Sequence, residues 1–133
     1  MDENHVQLRV RYSETDQMGV VYHGRYIPYF EIGRVEWLRN KGVSYKSLEE
    51  SGIALPIVSM TVNFKKSARY DDWITVKTVM KKYSSVKLEF HSEIWSEKNE
   101  LLTTAQFILC FVDLKTGRPI APPEHIKTIL SNL

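Results

Sequence analysis

Only one cysteine occurs in this sequence of 133 residues, so an internal disulfide is excluded. Cys110 sits in the apolar run Phe107-Ile-Leu-Cys-Phe111, where a thiol serves as a small core side chain rather than a nucleophile. Long hydrophobic runs are missing too. None approaches the roughly 18 residues of a membrane-spanning helix, so no membrane partner is expected. Excess charge of one sign is absent: 18 basic residues face 16 acidic ones, a net +2 that makes no case for nucleic acid. The basic residues are interleaved with acids and lack the aromatic stacking surface a single strand would use. The four histidines, His5, His23, His91 and His125, share no ligand spacing with one another or with Cys110, so no metal site is expected. There is no G-x-G-x-x-G, no Walker loop, no G-x-S-x-G and no H-E-x-x-H. The acidic, polar start Met1-Asp-Glu-Asn-His5 is unlike a secretory signal, and a cytoplasmic location is the expectation. With no repeat, low-complexity tract or linker, residues 1–133 read as a single domain large enough to bury a core.

What the sequence does contain is periodicity. From His5 to Tyr12, Val6, Leu8 and Val10 alternate with Gln7, Arg9 and Arg11, the pattern of a half-buried strand. The spacing turns helical from about Gly24 to Lys41, where Tyr26, Tyr29, Phe30, Gly33 and Trp37 share one face. Ile27, Ile32, Val35 and Leu38 lie off that face, which predicts a helix buried most of the way round in its first half. Gly42 ends it, and Ser44 caps a short helix over Tyr45–Glu50 that Gly52 closes. The rest is strand: Met60, Val62 and Phe64 alternate, Asp71-Asp72 turns, and Ile74 and Val76 resume the extended pattern. Val86, Leu88, Phe90 and Ile94 follow, then a turn at Lys98-Asn-Glu100. Ala105–Val112 is apolar at both parities, as in a strand covered on both faces. After Asp113–Gly117, Pro122 and Pro123 introduce a last helix with Ile126, Ile129 and Leu130 in register. Four strands joined by tight turns predict one antiparallel sheet, and a lone sheet buries a helix by curling around it: an α+β architecture. Apolar pattern left at a sheet edge or face predicts a homo-oligomer.

One stretch stands apart, Glu14-Thr-Asp-Gln-Met-Gly-Val-Val-Tyr-His-Gly-Arg-Tyr26, with a carboxylate and a histidine ahead of the long helix. Asp16 fits a turn or cap that bonds nearby amides. It equally fits a reactive carboxylate held opposite a helix start, whose unpaired N–H groups and dipole stabilise an oxyanion. Spacing leaves both open. His23 alone reads as a helix-start residue. Glu31, the rival acid, is either an ion-pair partner of Arg34 or a buried base. The basic clusters Lys65-Lys66…Arg69 and Lys81-Lys82 read as solvated strand ends, or as a landing place for phosphates.

Tyr12 to Leu38, and above all the D-x-x-G-[VI]-V-Y segment Asp16–Tyr22, resembles the signature of hotdog-fold acyl-CoA thioesterases of the 4-hydroxybenzoyl-CoA thioesterase-like group, in particular the type associated with the Tol-Pal system. Met60–Asp72 resembles that family's second strand and following turn. The resemblance implies a hotdog fold, one antiparallel sheet wrapped around a long central helix, and an acyl-CoA or acyl-carrier-protein thioester as substrate. Coenzyme A would enter as part of the substrate, with no separate cofactor. It implies Asp16 as the catalytic carboxylate and His23 lining the site. Amides around Tyr22, His23 and Gly24 would polarise the carbonyl, with Gly19 and Val21 in the same substrate-binding segment. Lys82, Ser84 and Ser85 would meet the CoA phosphates, often from a neighbouring subunit of a homodimer or homotetramer. Gln17-Met18 stands where small residues are common, which could narrow the pocket. Two rival readings remain at this level: a hydratase or dehydratase using an Asp16–His23 pair, and a non-catalytic acyl-CoA-binding protein.

Overall fold

A computed structural model describes residues 2–132. Its order is β1 (Glu3–Arg9), 3-10 turns at Tyr12–Glu14 and His23–Arg25, α1 (Tyr26–Asn40), α2 (Tyr45–Glu50), β2 (Ile53–Ala54) and β3 (Ile57–Phe64). There follow β4 (Trp73–Ser84), β5 (Lys87–Ser96), β6 (Leu101–Cys110), β7 (Val112–Asp113) and α3 (Glu124–Ser131). Five strands form one antiparallel sheet in the order β1-β4-β5-β6-β3, and α1 packs on its concave side. This is the expected single sheet around one helix. The expected run of consecutive hairpins holds only for β4-β5-β6. Residues 65–72 carry the chain across the sheet, so β3 pairs with β6 and forms an edge.

Alternation decides the inner face. Ile74, Val76, Thr78 and Met80 on β4, and Leu88, Phe90, Ser92 and Ile94 on β5, are buried. Phe107 of β6 meets Phe30 of α1 with ring centroids 5.4 Å apart, and Phe90 meets Trp37 at 5.3 Å, edge to face. Gly33 is the point of closest approach. A Cβ there would stand 2.5 Å from Thr78 Oγ1 and 2.8 Å from Val76 Cγ1. Gly33→Ala gains about 1 kcal/mol in helix propensity but forces an overpacked contact that costs about 1–3 kcal/mol. A net fall in the urea midpoint is the expected result.

Helix α1 ends as Gly42 predicted. Gly42, at φ +85, donates to Arg39 O, and Val43 N–H reaches back to Leu38 O, two bonds that satisfy carbonyls of the last turn. Ser44 caps α2, its hydroxyl accepting from Ser47 N–H at 3.3 Å. Cys110 is buried, as expected of a core thiol.

Four expectations need correction. Helix α1 is buried on one face only: Pro28, Glu31 and Ile32 are exposed, because the sheet covers one side of the helix and none of the described residues covers the other. Strand β6 is covered on one face only, since Gln106 faces solvent. The first strand stops at Arg9, and Tyr12 is exposed in the 3-10 turn. Glu31 makes no ion pair with Arg34 among the described residues. Arg34 is instead buried at 3% exposure, its guanidinium 4.4 Å from the centre of the Phe107 ring and beside Tyr45. Burial lowers its pKa, against the opposing pull of Tyr45 and Glu31.

Candidate active site

The loop before α1 is held by backbone hydrogen bonds at both ends. Thr15 pairs with Val21, and Val20 pairs with Arg69 on the crossover segment. Inside the loop Asp16 N–H donates to Val20 O at 2.9 Å and Gly19 N–H donates to Asp16 O at 3.0 Å. Gly19 takes φ +77, a conformation that any side chain would strain. Asp16 itself does what a turn residue does: its Oδ1 accepts from Met18 N–H at 2.8 Å. The second oxygen, Oδ2, has no hydrogen-bond partner among the described residues, so the turn uses half of the carboxylate.

Asp16 also lines a cleft of about 250 Å³ with Met18, Val20, Val21, His23, Tyr26, Phe64, Lys65, Lys66 and Ser67. The two residues singled out by sequence therefore share a wall, without hydrogen-bonding to each other. His23 rests edge-on against Phe64, centroids 4.8 Å apart. Tyr26 closes the floor, its hydroxyl accepting from Ala68 N–H at 3.2 Å, and burial raises its pKa. Lys66 pairs with Glu100, whereas Lys65 has no ion-pair partner among the described residues. Phe64 and Ser67 come from the end of β3 and the crossover, more than 40 positions from Asp16, and only the Met60–Asp72 motif hinted at them.

The amides named from sequence differ in availability. Gly19, Val21 and Tyr22 N–H groups are already committed, to Asp16 O, Ala68 O and Glu14 O respectively. That corrects the idea of Tyr22 as a free donor. The N–H groups of His23 and Gly24, opening the 3-10 turn that leads into α1, have no acceptor among the described residues.

A residue that sequence analysis passed over ties the loop down. Glu14 is 8% exposed, with Oε1 accepting from Arg11 N–H at 2.7 Å and from the Tyr29 hydroxyl at 2.8 Å, and Oε2 from Arg11 Nε at 3.2 Å. Burial pushes its pKa up, but these hydrogen bonds together outweigh it and hold the carboxyl below its ordinary value. Tyr29 is driven the other way, far above the usual phenol value, by burial and then by the Glu14 carboxylate.

Lys82, Ser84 and Ser85 lie elsewhere. They occupy the far end of β4 and the turn that follows it. Lys82 borders a different cavity of about 440 Å³, with Trp37 from the last turns of α1, whereas Tyr26 at the cleft begins that helix. Within this chain Lys82 and Asp16 therefore line separate cavities.

One antiparallel sheet curled round one long helix is the hotdog fold. The family model of the thioesterase-like superfamily matches residues 10–130, and the chain belongs to that superfamily. It is 34% identical over 119 residues to the acyl-CoA thioester hydrolase YbgC of Escherichia coli O6:H1, covering 90% of this chain and 89% of that one. It is 30% identical over 127 residues to the acyl-CoA thioesterase YbgC of Haemophilus influenzae, covering 95% and 93%. Among solved structures, the DHNA-CoA thioesterase from Staphylococcus aureus superposes with a TM-score of 0.96 at 36% identity, over 99% of this chain and 91% of that one. No helix among the described residues is long and apolar enough to cross a membrane.

Proposed function

We propose that this chain hydrolyses acyl-CoA or acyl-carrier-protein thioesters to a free carboxylic acid and a thiol, with Asp16 as nucleophile or general base. One observation carries the reading: Asp16 and His23 line a single cleft at the start of α1, where the His23 and Gly24 N–H groups are uncommitted. A carbonyl oxygen accepting from those amides would develop negative charge toward the positive end of the helix. Asp16 Oδ2 then has two routes. It attacks the carbonyl carbon, expelling the thiolate and leaving an acyl-aspartyl anhydride that water hydrolyses. Alternatively it takes a proton from a water whose oxygen attacks that carbon, and the thiolate leaves as the tetrahedral intermediate collapses. A thiol with a pKa near roughly 8.5 departs without a dedicated strong acid, so a site this spare suffices. Lys65, unpaired at the rim, suits an anionic part of the substrate or the product.

The reading extends to assembly. β3 leaves an unpaired sheet edge that exposes Ile57, Val58, Met60 and Phe64, and the uncovered side of α1 exposes Ile32. A second copy of the chain would cover both, as a homodimer or a homotetramer built on it. Such a copy could also bring its Lys82, Ser84 and Ser85 to the CoA phosphates of a substrate whose thioester sits at Asp16. A cytoplasmic setting fits a CoA-dependent reaction.

The test is a panel of benzoyl-, DHNA-, hexanoyl-, palmitoyl- and crotonyl-CoA, with free thiol followed and products identified. Thiol release from at least one member is expected. Hydration of crotonyl-CoA with its thioester intact, or saturable CoA binding with no turnover, would contradict the proposal.

A further inference from the structure

We propose that Glu14 is a positioning residue for the reaction, fixing the gap between Asp16 and the start of α1 through Tyr29 and Tyr22. The inference rests on the hydrolase reading above. Its basis is that one residue bonds three separate parts of the site. The carboxylate holds Arg11 N–H, where the turn begins, and the Tyr29 hydroxyl, on the buried face of α1, fifteen residues away. The main-chain carbonyl of the same residue accepts from Tyr22 N–H at 3.0 Å, directly before the uncommitted amides of His23 and Gly24. Asp16 lies two residues beyond Glu14. The loop bearing the carboxylate is thus tied both to the body of the helix and to the strand that enters it. Tyr29 in turn packs edge-on against Tyr26, centroids 5.9 Å apart, and the Tyr26 ring lines the cleft.

Stability accounts for part of this choice of residue, since the hydrogen bonds that hold the carboxyl below its ordinary value favour the folded, ionised form. Desolvating a carboxylate is costly, and its one charged partner among the described residues, Arg11, has a side chain 74% exposed, where water screens the attraction. An apolar side chain would fill the same space without the desolvation cost of a charge. What it could not do is hold the Tyr29 hydroxyl and the Arg11 amide at hydrogen-bond distance. Reactions at a held carbonyl are sensitive to such placement, because an error of about 1 Å can cost on the order of 10²-fold in rate.

The experiment measures kcat and KM for Glu14→Ala, Glu14→Gln, Tyr29→Phe and the double variant Glu14→Ala/Tyr29→Phe, using the best substrate of the panel. Rates are normalised to folded protein by circular dichroism. Glu14→Ala and Tyr29→Phe are each expected to lower kcat by about 10- to 100-fold with KM within about twofold. The double variant should be no slower than Glu14→Ala, since the Tyr29–Glu14 bond that Tyr29→Phe removes is already lost there. Glu14→Gln keeps an acceptor oxygen for both the Arg11 amide and the Tyr29 hydroxyl, and should recover most of the rate. Should Glu14→Ala fail to fold, Tyr29→Phe, which removes a single hydroxyl, decides the matter. Normalised kcat unchanged in Tyr29→Phe, or a raised KM with kcat kept, overturns the positioning role. That failure is separable from failure of the hydrolase assignment. If Asp16→Asn stays active, both readings fall; if Asp16→Asn is inactive but Tyr29→Phe is not slowed, only the role of Glu14 falls.

Discussion

Asp16→Asn is expected to lower the rate of acyl-CoA hydrolysis by about 10²–10⁴-fold, the range typical for losing a positioned acid or base. The fold should not notice. Asparagine keeps a carbonyl oxygen where Asp16 Oδ1 accepts from Met18 N–H, so the turn survives. What disappears is the anionic oxygen facing the cleft. The change therefore separates the two roles that spacing left open, turn residue and reactive carboxylate. Asp16→Ala removes both, and should add a modest loss of stability of about 0.5–2 kcal/mol to the same loss of rate, by analogy with losing a cap. Parallel measurements of thiol release and thermal unfolding check the pair. Full activity in a folded Asp16→Asn protein contradicts the assignment.

Phe107→Ala carries the largest expected effect on stability. The ring is fully buried between Phe30 of α1 and the strands beside β6, and the guanidinium of Arg34 lies over it at 4.4 Å. Truncation removes the apolar contact and leaves a cavity, which for a buried phenylalanine costs about 3–5 kcal/mol. Arg34 makes the site less forgiving. Its Nε and Nη1 have no hydrogen-bond partner among the described residues, so the aromatic face, together with Tyr45, compensates its buried charge. Against a total stability of about 5–15 kcal/mol, the loss should bring the thermal midpoint down by roughly 10 °C or more. A fall of less than about 1 kcal/mol in a urea titration would show that helix and sheet are not joined through this ring.

Much of the fold was legible because it follows from period. The face Tyr26, Tyr29, Phe30, Gly33 and Trp37 is the face that packs on the sheet, and the β4-β5-β6 meander follows its alternation. Glycines and polar turns fell where left-handed residues occur, at Gly42, Gly52, Asp71, Asn99 and Gly117. What was not legible depends on partners distant in sequence. Nothing local says that the segment after Phe64 crosses the sheet instead of turning back, so the pairing of β3 with β6 was missed. Arg34 was read as a candidate ion-pair partner of Glu31, whereas its guanidinium is buried over the Phe107 ring, a partner far away in sequence. Glu14 looked like one more acid in a polar turn, since its partner Tyr29 lies a full helix turn inside the next element. The site was legible in the same proportion: the motif brought Asp16 and His23 into one cleft, but period says nothing of the distance from that cleft to Lys82.

The most direct measurement is a crystal structure of the protein with a non-hydrolysable acyl-CoA analogue of the best substrate. The account predicts the carbonyl oxygen within hydrogen-bond distance of the His23 and Gly24 N–H groups, and the carbonyl carbon facing Asp16 Oδ2. A carbonyl seated instead in the cavity beside Trp37 and Lys82, or one turned away from the start of α1, would contradict it.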